Sequence, residues 1–170
     1  MKVIHQKCIF EKKMDLIWHD LNKCRHEFAQ ILENEIQKKE IIDNMVMILS
    51  EMLENVCKYS LNAKFYMHME TIQTDKNLYL IIRQENPIPI THNNTIKTLQ
   101  KEIEHVNSHE NPQFIYLENL KRASERTDNR SQIGLSLIRL LAGGAKIELY
   151  NSKHYTNGIL IRIVTKLEND

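Results

Sequence analysis

The chain has 170 residues, of which 42% are hydrophobic and 26% are charged. A chain of this length fits a single domain and can bury roughly 70% of the surface of its unfolded form, so it needs neither a disulfide nor a metal to fold. Its 23 Lys and Arg residues balance 22 Asp and Glu residues. Proteins that bind nucleic acid or an anionic membrane usually have a basic excess, so this balance argues against both classes.

The cysteines and the N-terminus indicate a cytoplasmic protein. Cys8, Cys24 and Cys57 are odd in number, widely spaced and without a C-x-x-C pair, which is typical of a reducing compartment. Charged residues begin too early for a signal peptide, and no apolar run approaches 18 residues. We therefore predict a cytoplasmic location and no contact with a membrane or with nucleic acid.

The first half of the chain predicts a strand, two helices and a hairpin. Residues 3–10 predict the strand, and residues 13–37 predict a helix because apolar side chains recur at steps of three or four: Met14, Ile17, Leu21, Cys24, Phe28 and Leu32. A second helix is predicted at about 39–59. Two strands follow, near 63–72 and 77–84, on either side of a polar turn.

The second half begins with a polar excursion and ends in a helix and two strands. The excursion, 86–130, holds short helical patterns near 95–106 and 113–123. A helix at about 132–142 then ends at a pair of glycines, 143 and 144, where a C-cap belongs. Strands at about 145–151 and 158–166 close the chain, and the order of elements predicts an α+β two-layer sandwich, with helices on one face of a mixed, mostly antiparallel sheet.

The helix near 39–59 has two distinct sides. One side is apolar and is expected to pack on the sheet: Ile42, Met45, Val46, Leu49, Met52, Leu53 and Val56. On the other side Glu51, Asn55 and Lys58 fall within about 60° of each other. Met47 and Ile48 are expected beside this polar stripe, where they would give a pocket a partly apolar floor. The alternative is an ordinary solvated helix face.

The segment from Glu51 to Ser60 resembles the N-box of the GHKL ATPases, the fold shared by sensor histidine kinases, gyrase and anti-sigma-factor kinases. The resemblance implies that Asn55 binds Mg²⁺ through its side-chain oxygen. It also implies that Glu51 polarises the attacking hydroxyl or water, and that Lys58 lies near the phosphates of ATP. These roles suit phosphoryl transfer, which depends on placement and charge neutralisation.

A second match follows towards the C-terminus. Residues 133–139 resemble the start of the helix in the second glycine box of the same family. There the backbone N–H groups of Gly134 and Leu135 are expected to receive phosphate oxygens. The glycine pair at 143 and 144 and the later Gly158 are similar to the glycines that precede the family's last two strands. The matches follow the family's order along the chain.

One motif of the family is missing. Sensor kinases have Asp-x-Gly-x-Gly after the strand, whereas residues 82–89 hold no Asp, and all four glycines of the chain lie at or after Gly134. Asn86, or Glu85 with a longer reach, is the expected acceptor for the adenine amino group. This reduced pattern resembles the SiaB-like single-domain regulatory kinases, whose relatives phosphorylate a Ser or Thr of a small STAS-type partner.

The resemblance implies a single GHKL-type domain over residues 1–170, with an N-terminal strand and helix (1–37), an N-box helix (38–60) and a lid-like segment (86–130). The first functional hypothesis is a bacterial signalling regulator, an ATP- and Mg²⁺-dependent protein Ser/Thr kinase that acts on a small regulatory protein. The second is a nucleotide-inert partner-switching module that kept the fold. The third is the ATPase part of a split histidine kinase. The sequence leaves open whether the chain forms a homodimer.

Three histidines invite other hypotheses. His19 stands in a segment similar to a phosphoacceptor box, but only about 30 residues separate it from Glu51, too few for an acceptor hairpin. His105 and His109 have the i, i+4 spacing of metal ligands without a third ligand nearby. We favour exposed helix positions for all three.

Overall fold

The computed structural model describes residues 3–15, 21–89, 93–125, 133–156 and 158–167. Within them, five helices cover one five-stranded sheet. None of these helices combines the length and the apolar character that a bilayer crossing requires. The elements in chain order are β1 (Val3–Asp15), α1 (Leu21–Glu33), α2 (Lys39–Tyr59), a short 3-10 turn (Leu61–Ala63), β2 (Lys64–Thr74), β3 (Leu78–Pro87), α3 (Asn93–Ser108), α4 (Pro112–Ser124), α5 (Ile133–Leu141), β4 (Ile147–Asn151) and β5 (Gly158–Leu167).

The strand order of the sheet is β1-β2-β3-β5-β4, so β5, the last strand in sequence, lies between β3 and β4. All four strand pairs that the structure describes are antiparallel. The prediction of an α+β two-layer sandwich is confirmed, with a described sheet that is antiparallel rather than mixed. Antiparallel sheets suit this arrangement because one face can pack on a core while the other meets solvent.

The two faces of the sheet differ in composition. The inner face, which meets the helices, carries buried apolar side chains from the three central strands: Met67, Met69, Leu80, Ile82, Ile161 and Ile163. The outer face carries mainly polar and charged side chains at the alternate positions, namely Tyr66, His68, Glu70, Arg83, Glu85 and Arg162, with the apolar Ile81 and Leu160 among them. This alternation follows from the two-residue period of a strand.

Helix α2 lies at the centre of the core and packs against both α1 and α5. Its apolar side is almost completely buried, as predicted. The prediction for Ile48 was wrong, because this side chain is fully buried instead of bordering the polar stripe, whereas Met47 is exposed. A helix flanked by two others buries a wider face than a helix that packs on a sheet alone.

The N-terminal region departs most from the predicted elements. β1 does not stop at residue 10 but continues to Asp15, pairing with β2 along its whole length, and α1 begins only at Leu21. Met14 fits a helical spacing with the apolar residues of α1, yet it pairs with Phe65 in the sheet. Backbone pairing with the long strand β2 therefore outweighs the helical spacing of the apolar residues around Met14.

The segment predicted as lid-like contains two helices that are anchored in the core. Ile103 and Val106 of α3 and Ile115 of α4 are buried. α4 begins where a sequence signal indicates it, since Pro112 occupies its first position and Asn111 Oδ1 accepts hydrogen bonds from the backbone of residues 113 and 114. Both helices pack against α5.

The end of α5 confirms the predicted glycine C-cap. Gly143 has φ 65° and Gly144 has φ 83°, a backbone conformation that side chains disfavour. The N–H of Gly144 donates to the carbonyl of Arg139 at 2.9 Å, and the N–H of Gly143 donates to that of Leu140 at 3.1 Å. This pair of bonds is the Schellman motif, and it turns the chain towards β4.

Candidate functional site

The polar side of α2 meets the first turn of α5. A Cβ built on Gly134 would lie 2.7 Å from Glu51 Oε2, so the carboxylate of Glu51 occupies the space beside this glycine. Any larger residue at this position would have to displace the carboxylate. The contact brings together two predicted site residues that are far apart in sequence, and α5 places both Gly134 and Leu135 in its first turn.

The surroundings of Glu51 favour its protonated form. Burial raises the pKa of Glu51, and the nearby charge of Glu54 raises it further, while Lys58 and Arg25 oppose the shift. A carboxylate with a raised pKa is a better proton acceptor, because the strength of a general base increases with its pKa.

Asn55 follows Glu51 by one helical turn and is half-buried. Neither the Asn55 amide nor the Glu51 carboxylate makes a hydrogen bond to another residue in the described part of the chain. Both groups are therefore available to an external ligand. An amide oxygen beside a carboxylate is a donor set that suits Mg²⁺, which prefers oxygen ligands.

Lys58 lies on the same side of α2 but is engaged by a protein carboxylate. Its Nζ lies 3.5 Å from Glu54 Oε2, and both side chains are partly exposed. Arg25 of α1 lies 3.1 Å from Glu54 Oε1 and also donates to Ser50 Oγ at 2.9 Å. Sequence reasoning missed Arg25, because its place depends on how α1 packs on α2. The pair of Glu54 and Lys58 was readable from its i, i+4 spacing.

The start of α5 offers backbone donors close to Glu51. The N–H groups in the first turn of a helix have no partner within the helix, and together with the helix dipole they attract anions. Ser136 is fully buried and bonds back to the carbonyl of Ile133 at 2.8 Å, which fixes this turn. Gln132, which directly precedes α5, lies outside the described residues.

Asn86 and Glu85 lie on opposite faces of the sheet, since neighbouring strand residues alternate. Asn86 is buried on the inner face, where its Oδ1 accepts a hydrogen bond from Gln84 Nε2 at 3.4 Å. Glu85 is buried on the outer face, where Oε2 accepts from Ser152 Oγ at 2.6 Å and from the backbone N–H of Lys153 at 2.7 Å. Of the two predicted adenine acceptors, only Asn86 thus faces the helices.

Gln84 is a further polar residue at this end of β3. Its Oε1 is buried and has no hydrogen-bond partner among the described residues, which is a costly arrangement. Gln84 and Asn86 thus place two buried amides side by side on the inner face. The signal for Gln84 was present in the sequence, because it occupies an inward position between Ile82 and Asn86.

A groove of about 460 Å³ opens between α3 and the strands β4 and β5. It is lined by Ile96, Gln100, Ile103, Glu104, Leu149, Tyr150, Asn151 and Ile159. Ile159 pairs with Asn86 across β3 and β5, so the groove lies near the end of β3. Glu51 and Asn55 do not line it. The groove and the polar side of α2 are therefore separate features of the described surface.

His105 of α3 and His109, which directly follows this helix, make protein contacts. His109 Nε2 lies 3.8 Å from Glu118 Oε2, and Arg122 Nη1 lies 3.4 Å from His105 Nε2. The two imidazole rings meet edge to face at a centroid distance of 5.1 Å. The prediction of exposed helix positions was wrong for this pair, because both side chains are partly buried against α4 and His109 follows the end of α3. His19 lies outside the described residues.

Comparisons with known proteins find similarity in structure alone. No protein-family model matches the chain, and no curated protein matches its sequence. A chain in the crystal structure of the SiaB–SiaC complex from Pseudomonas aeruginosa has a similar structure, with a TM-score of 0.66 and 10% sequence identity. The match covers 94% of this chain and 91% of the other, so the two share a fold over nearly their whole lengths.

Proposed function

We propose that this chain is a bacterial signalling regulator that acts as an ATP-dependent protein Ser/Thr kinase on a small regulatory protein. The observation that carries the proposal is the contact between Glu51 and Gly134. It joins the N-box of α2 to the glycine box of α5, which is the pairing that a GHKL-type nucleotide site needs. Nothing in the packing of an ordinary solvated helix requires a half-buried carboxylate against a glycine.

The donor set at this junction fits Mg²⁺ and ATP. Asn55 would hold the metal through its amide oxygen, which no described residue engages. The first turn of α5 would bind phosphate oxygens, and Asn86 on the inner face would accept a hydrogen bond from the adenine amino group. When bound, ATP supplies the phosphoryl group and Mg²⁺ neutralises its charge.

The reaction assigns distinct roles to two charged residues of α2. Glu51 would take the proton of the attacking Ser or Thr hydroxyl, a role that its raised pKa favours. Lys58 would exchange Glu54 for a phosphate oxygen, because their contact at 3.5 Å is partly exposed and weak. Arg25 keeps Glu54 in place when Lys58 moves, since it holds the other carboxylate oxygen.

Two observations support a protein partner. The crystal structure that shares this fold is that of a complex between two proteins, SiaB and SiaC. In addition, Phe114 and Leu117, one turn apart on α4, expose 61% and 62% of their surfaces. Exposed apolar residues that adjoin each other often mark a protein interface. We infer that a small STAS-type protein presents its Ser or Thr near α4.

A nucleotide-inert binding module is the second candidate function. It is favoured by Asn86, whose side-chain oxygen already accepts a hydrogen bond from Gln84, and by the groove, which Glu51 and Asn55 do not line. In this case the same partner would bind through α4 and α1, and no phosphate would be transferred.

Calorimetric titration of Mg²⁺-ATP separates the two candidates. We expect micromolar binding by the wild type, loss of binding in Asn55→Ala, and unchanged binding in Asn44→Ala. Asn44 is a matched control because it lies three turns earlier on nearly the same side of α2, about 16 Å away. No heat from a wild type that circular dichroism shows to be folded would overturn the kinase and leave the module.

Glu51→Gln tests the chemical step apart from binding. The amide is of similar size but cannot accept the proton, so we expect ATP affinity to stay within a few-fold of the wild type. Transfer of the γ-phosphate to a partner protein should fall by about 10²–10⁴-fold, the usual contribution of a general base. If Glu51→Gln transferred the γ-phosphate at the wild-type rate, Glu51 would not be the general base.

A further inference from the structure

Three potential metal ligands meet on the outer face of the sheet, away from α2. They are the thiol of Cys8 and the carboxylate of Glu11, both on β1, and the imidazole of His68 on β2. Their ligand atoms all lie within 4.8 Å of one another. Cys8 and Glu11 are exposed to solvent and His68 is partly buried, so an ion can enter from solvent.

A bulge in β1 makes this cluster. In a regular strand, residues three apart point to opposite faces, so Cys8 and Glu11 would be separated by the sheet. The register shifts between Cys8 and Phe10, because Cys8 pairs with Glu70 and Phe10 with Met69. The extra residue places Cys8 and Glu11 on the same face of the sheet, where their cross-strand neighbours are Glu70 and His68 of β2. Bulges that redirect side chains in this way are common beside functional sites.

The distances suit a small tetrahedral ion. Cys8 Sγ lies 4.0 Å from His68 Nδ1. A zinc ion with bonds of about 2.3 Å to sulfur and 2.0–2.1 Å to nitrogen holds these two atoms about 3.6 Å apart. Binding therefore needs a movement of only a few tenths of an ångström, which an exposed cysteine side chain allows.

Residues that are not themselves ligands surround the imidazole of His68 and favour the orientation that a metal ligand needs. His68 Nδ1 faces Cys8 Sγ, while the buried Nε2 lies 3.5 Å from Glu70 Oε2, close enough for attraction but without a hydrogen bond. Glu70 is itself buried and fixed, since it accepts from Gln6 Nε2 at 2.7 Å and from Arg83 Nη2 at 2.5 Å. A metal-bound histidine usually directs its other nitrogen to such a carboxylate, which sets the ring and its tautomer.

Glu11 is also held by a residue that is not a ligand, because the hydroxyl of Tyr66 donates a hydrogen bond to its carboxylate. Tyr66 thus fixes the carboxylate of Glu11, and Glu70, which Gln6 holds in place, lies beside the imidazole of His68. Hydrogen-bonded carboxylate and imidazole ligands are the usual arrangement around bound metals.

We propose that Cys8, Glu11 and His68 bind one zinc ion, with a fourth position open to solvent. A thiolate is a soft ligand, which selects zinc-type ions and excludes Mg²⁺ and Ca²⁺. The site is distinct from the one assigned to Asn55, because it lies on the other face of the sheet. It needs neither ATP nor a protein partner.

Titration with Co²⁺, a spectroscopic substitute for Zn²⁺, tests the site. In the wild type we expect one ion per chain and the charge-transfer absorption of a cobalt–thiolate bond. Cys8→Ser should abolish that absorption, and His68→Gln should remove the binding. Cys57→Ser is the matched control, since Cys57 is the other thiol that is not fully buried. Glu70→Gln should weaken Zn²⁺ binding by about 10–100-fold, the usual loss for an outer partner.

A second measurement uses the wild type alone and does not depend on how the variants fold. Zn²⁺ should slow the alkylation of Cys8, followed by mass spectrometry, and leave that of Cys57 unchanged. Cobalt binding without a thiolate band, binding that survives in both Cys8→Ser and His68→Gln, or equal alkylation of Cys8 with and without Zn²⁺ would overturn the proposal and leave a hydrogen-bonded surface cluster.

Discussion

Glu51 shows at the scale of one residue why the junction of α2 and α5 stands out from the rest of the surface. Burial and the charge of Glu54 both oppose its ionised form, so the carboxylate costs folding free energy at neutral pH. The described fold does not use the side chain for a hydrogen bond. Residues that cost stability without a structural return are common at functional sites.

Gly134→Ala should weaken ATP binding by about 10-fold or more, a loss of at least 1.4 kcal/mol. The added methyl group would lie 2.7 Å from Glu51 Oε2 and displace that carboxylate towards the space assigned to the phosphates. Stability should hardly change, because alanine favours a helix by up to about 1 kcal/mol and the end of the Glu51 side chain can move. Calorimetry with Mg²⁺-ATP and urea denaturation measure the two effects.

Gly143→Ala is the matched control and should show the opposite behaviour. This glycine has φ 65° and open space around it, so alanine there meets no neighbour but costs about 1–2 kcal/mol of backbone strain. We expect lower stability and unchanged ATP affinity. If Gly134→Ala also left the affinity for ATP unchanged, the first turn of α5 would not be part of the nucleotide site.

Glu85 stabilises the turn between β4 and β5 in a pH-dependent way. Burial raises the pKa of Glu85, but hydrogen bonds from Ser152, from the backbone of residues 153 and 154 and from the His154 imidazole outweigh it, so the net shift is downward. The folded state thus holds the ionised form more firmly than the unfolded state does. This stabilisation is present above the ordinary pKa of about 4.5 and is lost as pH falls through the lower folded value.

Glu85→Gln should therefore cost about 1–3 kcal/mol of unfolding free energy at pH 7, since it weakens three hydrogen bonds to the buried Oε2 and the contact of His154 Nδ1 with Oε1 at 3.0 Å. The difference from the wild type should shrink below about pH 4.5. Urea denaturation at pH 7 and at the lowest pH that keeps the wild type folded measures it. Glu148→Gln is the control and should cost less than about 1 kcal/mol, because the pair with Arg162 is partly exposed and the Glu148 carboxylate is not buried.

At the scale of elements, β4 depends on a side chain of α3. β4 is an edge strand that pairs only with β5 in the described sheet. Asn107 covers its free side, where Nδ2 donates to the carbonyl of Ile147 at 2.8 Å and Oδ1 accepts from the N–H of the same residue at 3.1 Å. A side-chain amide here takes the place of a neighbouring strand.

Asn107→Ala should cost about 1–3 kcal/mol, because it leaves the two backbone groups of Ile147 without their partner. Hydrogen exchange at the amide of Ile147 should accelerate more than exchange in β2, which lies three strands away in the sheet. Equal acceleration in both strands would indicate global destabilisation and contradict a local role. Asn77→Ala, in the turn after β2, is a control of the same chemical type.

The elements that the sequence predicted well are those with a local signal. α2 has a clear helical period, and the end of α5 is marked by two glycines whose positive φ the structure confirms. β1 was predicted too short because its second half is held by pairing with β2, a contact between residues about 50 positions apart that no local period reveals. Ile48 was misplaced for a similar reason, since α1 and α5 both pack against α2.

At the scale of the whole molecule, the same limit applies to the candidate sites. Glu51 and Gly134 were predicted separately, and the fold brings them into contact. Arg25 and the cluster of Cys8, Glu11 and His68 were not predicted, because the packing of α1 and the bulge in β1 are invisible in a linear pattern. Glu85 and Asn86 were treated as alternatives, although strand alternation already separates neighbours onto different faces.

The position of β5 has a consequence for synthesis on the ribosome. β3 is complete early, yet its neighbour in the sheet is the last strand of the chain, and Leu78 pairs with Leu167. A nascent chain that ends before Gly158 can form the β2–β3 hairpin but leaves one edge of β3 unpaired. β4 also lacks a partner at this stage, because it pairs with β5 in the described sheet. Sheet closure must therefore wait for the final ten residues of described structure. Until then the open strand is exposed to other nascent chains, and slow translation would prolong that exposure.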